Sequence, residues 1–304
     1  MKFGVDIGGT TVKIGVVQGT KIVDSYVVVT KAETLFDDVC LSIKKYMEDH
    51  NISEIEGIGF GVPGNIIDNY IYLLPNIGIR NLDLIKTVSK YFPDVKIAGG
   101  NDANVAALGE MMYHNEYKNA CMLTLGTGVG CGIVLNGKIL EGVHGAGGEV
   151  GHMLVADEYN FDCGCGLKGC LETVASATGV VRLAKYYKSE YKTTLGHNFS
   201  TILGDDFSAK DVFDAARDGD ELACFVVDKV CYYLAKAISL LAVTVDVDVY
   251  YIGGGVSKAG AILIDGIKKH YERISFFAVR KVEIQAAHLL NDAGMLGAAC
   301  LISE

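Results

Sequence analysis

A chain of 304 residues, half of them hydrophobic, with 37 glycines and 3 prolines, describes a folded α/β protein with many tight turns and excludes disordered and fibrous classes. The net charge of −10, with no basic run, argues against a nucleic-acid partner. Nine cysteines, an odd number, suit a reducing cytoplasm better than a disulfide framework. The N-terminus has no basic segment followed by an apolar one, so no signal peptide is expected. The longest apolar stretch, 232–245, is interrupted by Lys236 and ends at Asp246, so no membrane span is expected.

Phe3, Val5 and Ile7 alternate with small or polar residues, which predicts a first strand ending in the turn Gly8, Gly9, Thr10, Thr11. Residues 12–17 and 21–29 read as further strands of a meander. Leu35, Val39, Ile43 and Met47 share one helical face, so a helix is expected over 34–50. A strand over 55–60 ends in the Gly-Val-Pro-Gly turn of 61–64. A short helix over 82–91 and a brief strand over 96–98 follow. After Gly99, Gly100, Asn101 and Asp102 comes a helix over 103–113.

The opening pattern then recurs. Residues 122–125 read as a strand, Gly126, Thr127 and Gly128 as a turn, 131–135 as a strand, and Asn136-Gly137 as a hairpin signal. At an offset of 117, Gly9-Thr10 falls on Gly126-Thr127 and Gly15-Val16-Val17 on Gly132-Ile133-Val134. This predicts an internal duplication of one strand–Gly-Thr–strand unit. No flexible linker is visible, and a domain boundary is expected near 116–119.

The stretch Gly147 to Glu172 carries His152, Cys163, Cys165 and Cys170, with the carboxylates Glu149 and Glu172 on either side. Three thiols and one imidazole within nineteen residues are the ligand set of a closed tetrahedral zinc site. Four such ligands leave no position for a reacting water, so Zn²⁺ here is expected to be structural, pinning a glycine-rich loop. Beyond it, a helix is expected over 172–188, a variable loop over 189–203, and a helix from an N-cap at Ser208 through 216. A long apolar helix over 220–241, a strand over 247–252, the run Gly253, Gly254, Gly255 leading into another helix, a strand over 281–286 and a last helix over 291–302 complete the chain.

Glycines let a backbone approach phosphate closely, and free N–H groups and Thr hydroxyls donate to its oxygens. The turns at 8–11 and 126–128 therefore suit phosphate. Asp6 could hold Mg²⁺ directly or through water, and Lys13 could offset phosphate charge. The Gly253–Gly255 run suits a nucleotide base or ribose. Two decoys fail: 132–138 resembles a P-loop, but Ile139 replaces its Ser/Thr and a strand follows; 253–258 lacks the third glycine of a dinucleotide fingerprint. Asp102 has two readings on local sequence, a helix cap or a proton acceptor for an attacking hydroxyl.

Taken together, Asp6-x-Gly8-Gly9-Thr10, Asn101-Asp102, Leu125-Gly126-Thr127-Gly128, Glu149-Val150-Gly151-His152 and the CGCGLKGCLE run from Cys163 to Glu172 resemble the ROK family of sugar kinases and repressors, over the whole chain. The resemblance implies an actin-like (ribonuclease H-like) ATPase fold of two α/β domains around a central cleft. The first would be 1–118, with the terminal helix 291–304 packing back on it; the second would be 119–290 with the zinc loop. It implies ATP-dependent phosphorylation of the 6-hydroxyl of a hexose, glucose first and N-acetylmannosamine second, with a non-catalytic sugar sensor as the rival reading. Asp102 would be the general base. Asn101, Glu149, His152 and Glu172 would bind sugar hydroxyls, with Gly64 and Asn76 in weaker sugar motifs. Thr10, Thr11, Lys13, Thr127, Gly128 and Gly254 would lie along ATP. Ile77-Gly78-Ile79-Arg80 stands where glucose kinases of the family often carry Trp. Family repressors carry a helix-turn-helix ahead of the first strand, which is not expected here. A cytoplasmic homodimer without nucleic-acid or membrane partners is the implied form.

Overall fold

The computed structural model describes residues 1–189 and 199–303. Most of the variable loop expected over 189–203 lies outside the described residues. The chain forms two compact units, one of Met1–Ala120, Gly132–Gly148 and His288–Glu304, the other of Cys121–Cys131 and Glu149–Ala287.

In the first unit, β1 (Lys2–Ile7), β2 (Thr11–Gln18) and β3 (Lys21–Val29) form an antiparallel meander. Helix α1 (Leu35–Asp49) buries Leu35, Phe36, Val39, Cys40 and Ile43 in one core with Phe3, Val5 and Phe60. At roughly 1.5–3 kcal/mol per large apolar side chain buried, that face, more than intrinsic propensity, holds the helix. Strand β4 (Gly57–Val62) runs parallel to β1 and is buried throughout.

The next segment departs from expectation. Strands β5 (Asn65–Ile67), β6 (Tyr70–Leu74) and β7 (Ile79–Asp83) make a small antiparallel sheet, and α2 spans only Leu84–Val88 rather than 82–91. The cause is turn chemistry. Asp68 and Asn69 both take positive φ, 49° and 63°, as a two-residue hairpin turn that matches strand twist demands. Asp83 then ends β7 and caps α2 by accepting the Lys86 N–H. Strand β8 (Lys96–Asn101) is longer than the 96–98 expected and lies parallel to β4, giving the sheet order β3-β2-β1-β4-β8. It leads directly into α3 (Asp102–His114).

Strands β9 (Ala120–Leu125), β10 (Val129–Leu135) and β11 (Lys138–Ile139) open the second five-stranded sheet. The single helix expected over 172–188 is two helices, α4 (Glu172–Ala175) and α5 (Ala177–Ser189). Ser176 separates them with extended backbone, its hydroxyl donating to the Glu172 carbonyl and accepting the Gly179 N–H. The predicted capping box of Ser208 and Asp211 starts α6 (Ala209–Arg217). Helix α7 (Glu221–Val245) is followed by β12 (Val249–Gly253), α8 (Ala261–Ile274) and β13 (Glu283–Ala286). The order β11-β10-β9-β12-β13 repeats that of the first sheet, and the sequence repeat at offset 117 falls on the leading hairpin of each.

The last helix, α9 (Ala293–Cys300), is buried at every position and packs on β1, β4 and α3. Glycines permit this. A Cβ at Gly59 would stand 1.7 Å from the Ala298 carbonyl oxygen, and one at Gly297 1.8 Å from that of Val105. Helix α3, which begins at Asp102, is thereby held at backbone contact distance. A second restraint is Glu110, fully buried in α3, which accepts the backbone N–H groups of both His288 and Leu289 where the chain re-enters the first unit. His114 Nε2 lies 3.3 Å from the same carboxyl group. Among the described residues no helix is long and apolar enough to cross a membrane.

Candidate active site and metal centre

In the first unit, strand register sets the site. Asp6 pairs with Gly61 across β1 and β4, and Gly61 with Gly100 across β4 and β8. Asp6, the turn after β4 and Asn101-Asp102 therefore emerge together at the carboxyl ends of parallel strands, where open α/β sheets bind ligands. The two readings of Asp102 separate here. Asn101 is the cap: its Oδ1 accepts the N–H groups of Ala103 and Asn104 at 3.0 and 3.3 Å. Its Nδ2 donates to the Gly64 carbonyl at 3.2 Å. Asp102 is the first helical residue and half-buried, its Oδ1 accepting the Ala103 N–H at 2.9 Å. A carboxylate is favoured in that first turn by the unpaired N–H groups of the helix end.

Gly64 is needed for packing: a Cβ there would meet the Leu73 carbonyl oxygen at 2.2 Å, so only glycine lets this turn lie on β6 and offer its carbonyl to Asn101. Asn69 Oδ1 accepts the Gly99 N–H at 2.7 Å and ties the small sheet to β8 just before the cap. Asn76 stands exposed in the turn between β6 and β7. The turn between β1 and β2 is closed by Gly8 N–H donating to the Thr11 carbonyl at 2.9 Å and braced by Thr30, whose hydroxyl donates to the Gly8 carbonyl at 2.9 Å. Gly9, Thr10 and Thr11 are exposed. Asp6, 24% exposed, lies 4.0 Å from Lys13 Nζ and against Gly294 of α9. Burial raises its pKa, and Lys13 offsets only part of that rise. An under-compensated carboxylate beside a phosphate-type turn suits a divalent cation.

The second unit holds the other Gly-Thr turn. Gly126 N–H donates to the Gly128 carbonyl at 3.0 Å, Ala177 N–H to the Gly126 carbonyl at 2.8 Å, and the Thr178 hydroxyl to the Thr127 carbonyl at 3.0 Å. Gly254, at φ +82°, lies against this turn's strand: a Cβ would come within 2.7 Å of three Leu125 backbone atoms. Gly253 lies beside Leu123, and Gly255 faces open space. Gly255 and Ala177 also line a pocket of about 420 Å³ with Phe213, Val256, Lys210 and Arg217. Sequence reasoning did not single out these last four. Phe213 has the helical spacing of an ordinary core residue, and nothing in local pattern distinguishes the two uses.

The loop that carries His152 and the three cysteines is folded back on itself. Leu171 N–H donates to the Met153 carbonyl at 2.9 Å and Val155 N–H to that of Gly169 at 3.1 Å, which places His152 beside the cysteines. Cys163 Sγ lies 3.5 Å from His152 Nδ1, and Cys165 Sγ lies 3.7 Å from Cys170 Sγ. All four donor atoms lie within 4.8 Å of one another. Around a tetrahedral ion with bonds of about 2.3 Å to sulfur and about 2.0 Å to nitrogen, neighbouring donors stand roughly 3.5 Å (S···N) and roughly 3.8 Å (S···S) apart. The donor set and spacing thus fit a tetrahedral ion. Burial pushes the Cys170 thiol up to about 12 and raises Cys163, whereas the Leu167 N–H lowers Cys165. Gathering three thiolates here calls for a cation. With Nδ1 facing the sulfurs, His152 turns Nε2 toward Glu149, 3.8 Å away and exposed. Gly151 packs this segment on β10, where a Cβ would meet the Val129 carbonyl oxygen at 2.1 Å. Glu172 lies between this cluster and β10, its Oε1 3.8 Å from Cys163 Sγ and its Oε2 accepting the Val129 N–H at 3.0 Å.

A family model described as the ROK family matches residues 2–304. The chain is 41% identical to a glucokinase of Halalkalibacterium halodurans, over 99% of this chain and 94% of that protein. It is 35% identical to a glucokinase of Thermotoga maritima, over 99% and 96%. Its fold is similar to the crystal structure of a ROK family glucokinase from Streptomyces griseus in complex with glucose and AMPPNP, with TM-score 0.74 and 32% identity over 99% of this chain and 98% of that one.

Proposed function

The chain belongs to the ROK family and has its actin-like ATPase fold, and on that premise we propose that it is an ATP-dependent glucokinase that phosphorylates the 6-hydroxyl of glucose. The observation that carries the reading is the division of labour at the head of α3, where Asn101 caps the helix and leaves Asp102 as a carboxylate at the strand ends. Asp102 is assigned as general base, Asn101 as a hydroxyl partner, and Asp6, Lys13 and the 8–11 turn to Mg²⁺ and phosphate. The 126–128 turn is assigned to phosphate and the pocket beside Gly255 to the nucleotide base. Glu149 and the Nε2–H of His152 serve as sugar-hydroxyl partners, since a metal on Nδ1 leaves the ring proton on Nε2. The ion fitting three thiolates and an imidazole is Zn²⁺, whose closed shell gives it a structural role.

The transfer is in-line, with a loose transition state, so positioning and electrostatics dominate over covalent chemistry. Asp102 orients the 6-hydroxyl and takes its proton as the bond to phosphorus forms, while the Gly-Thr turns hold the triphosphate oxygens. A coupled ADP-release assay with glucose, mannose and N-acetylmannosamine tests this. The highest kcat/KM is expected with glucose. A preference for N-acetylmannosamine would displace glucose as the substrate, and glucose binding without ADP release from any sugar would identify a sensor.

Asp6→Asn separates stability from function. Asp6 has a folded-state pKa raised above the ordinary 3.8, so ionising it costs folding free energy. That cost is absent below the unfolded pKa and grows as pH rises through the folded one. The variant is therefore expected to melt higher than wild type at pH 7, with the gain vanishing below about pH 4, while turnover falls by about 10²-fold from the lost Mg²⁺ partner. Melting curves across pH, with kcat at saturating Mg²⁺, read both effects. A lower melting temperature at pH 7 would contradict the buried-charge argument.

A further inference from the structure

The loop that holds the metal and the turn assigned to phosphate are joined in the second unit by one carboxylate. Glu172 stands two residues after the ligand Cys170 and opens α4. The resemblance gives it to the sugar, and in this structure its Oε2 also accepts the Val129 N–H at 3.0 Å, on the strand that leaves the Gly126–Gly128 turn. Gly128 makes room for it. A Cβ at 128 would stand 2.3 Å from Oε2 and 3.3 Å from the carboxyl carbon, so a side chain there would displace the carboxylate from this position. The other oxygen, Oε1, is 3.8 Å from Cys163 Sγ. The backbone path is equally short. The Cys170 carbonyl accepts both the N–H and the hydroxyl of Thr173, at 3.0 and 2.7 Å, which fixes the first turn of α4 to the metal ligand. Five residues after Glu172, Ala177 N–H holds the Gly126 carbonyl at 2.8 Å. The turn is thus gripped at both ends, at Gly126 and at Val129, by the segment that leaves the metal centre.

We infer that Glu172 is a positioning residue for the nucleotide turn, and that the metal centre sets nucleotide affinity through it. This rests on the reading of 126–128 as the phosphate turn. Loss of the Glu172 acceptor leaves the Val129 N–H without its partner and frees one end of the turn. Metal loss does the same indirectly, by releasing the start of α4.

The test is calorimetric titration of Mg²⁺–AMPPNP in the absence of sugar, so that sugar contacts cannot contribute. Glu172→Ala is expected to weaken AMPPNP by about tenfold, and Glu172→Gln by no more than about threefold, because the amide oxygen still accepts the Val129 N–H. Glu172→Asp keeps the charge but withdraws the oxygens by one methylene, so it is expected to resemble Ala; it also serves if Ala does not fold. Wild type stripped of metal, with far-UV circular dichroism confirming retained secondary structure, is expected to lose affinity as Ala does. Thr127→Val controls the premise. If it weakens AMPPNP while Glu172→Ala and Glu172→Asp bind like wild type, the positioning role is overturned and the phosphate turn stands. If none of the three changes affinity, the phosphate-turn reading fails first. Asp outperforming Gln would also overturn the proposal, since charge rather than the hydrogen bond would then govern binding.

Discussion

Asp102→Asn is expected to lower kcat by about 10²–10⁴-fold and to leave glucose affinity within about threefold of wild type. The substitution is isosteric. Its amide oxygen can keep the contact with the Ala103 N–H that Asp102 Oδ1 makes at 2.9 Å, and Asn101 still caps α3, so the helix start has no reason to move. What disappears is the capacity to take a proton from the 6-hydroxyl. A hydroxyl that keeps its proton is a poor nucleophile toward phosphorus, whereas a neutral amide still hydrogen-bonds to it. The loss therefore falls on turnover and spares ground-state binding. Steady-state kinetics with calorimetric glucose titration reads the split. A near-normal kcat would remove the base assignment, and parallel loss of binding and turnover would make Asp102 a sugar anchor instead.

Removing the metal is expected to raise the glucose KM by more than about tenfold and to lower the melting temperature. Structural zinc contributes an apparent ~10–16 kcal/mol of binding free energy in small sites, comparable to the ~5–15 kcal/mol stability of a whole domain. The loop turns through positive φ at Gly166 and Gly169, so an ion on its four donors would add a cross-link to a segment otherwise joined by backbone hydrogen bonds such as Leu171 N–H to the Met153 carbonyl. Glu149 lies in this loop and His152 is one of its four proposed ligands, so both proposed sugar contacts are expected to go with the ion. Cys165→Ser is the cleanest variant, because Cys165 is the exposed thiol of the three and its replacement disturbs no core packing. Metal content by atomic emission, KM for glucose and thermal melting form the measurement. An unchanged KM after verified metal loss would sever the link between metal and sugar.

Much of this was legible in local spacing. The alternation of Phe3, Val5 and Ile7, the helical face of α1 and the capping box at Ser208 each involve residues a few positions apart, whose geometry follows from strand or helix period, and the clustering of His152 with Cys163, Cys165 and Cys170 agrees with their spacing. The hairpin at Asp68-Asn69 was not read from the sequence: its strands, Asn65–Ile67 and Tyr70–Leu74, are short apolar runs without clean alternation, and only the positive φ at both turn residues marks it.

Other features required distant residues to be brought together. Local pattern could not choose between Asp102 as a helix cap and Asp102 as a proton acceptor; the structure gives the cap to Asn101, which also donates to the Gly64 carbonyl 37 residues away. Nothing near Glu172 indicates that its carboxylate would reach Val129, 43 residues earlier, or that Gly128 is empty to admit it. The glycines of β1, β4 and α3 carry no local signal of their role, which is to let α9 pack on them at backbone distance. Periodicity and ligand chemistry act over a few residues and are written in spacing. Close backbone approach and long-range carboxylate partners depend on which surfaces packing brings together, and that is decided only when the whole chain has folded.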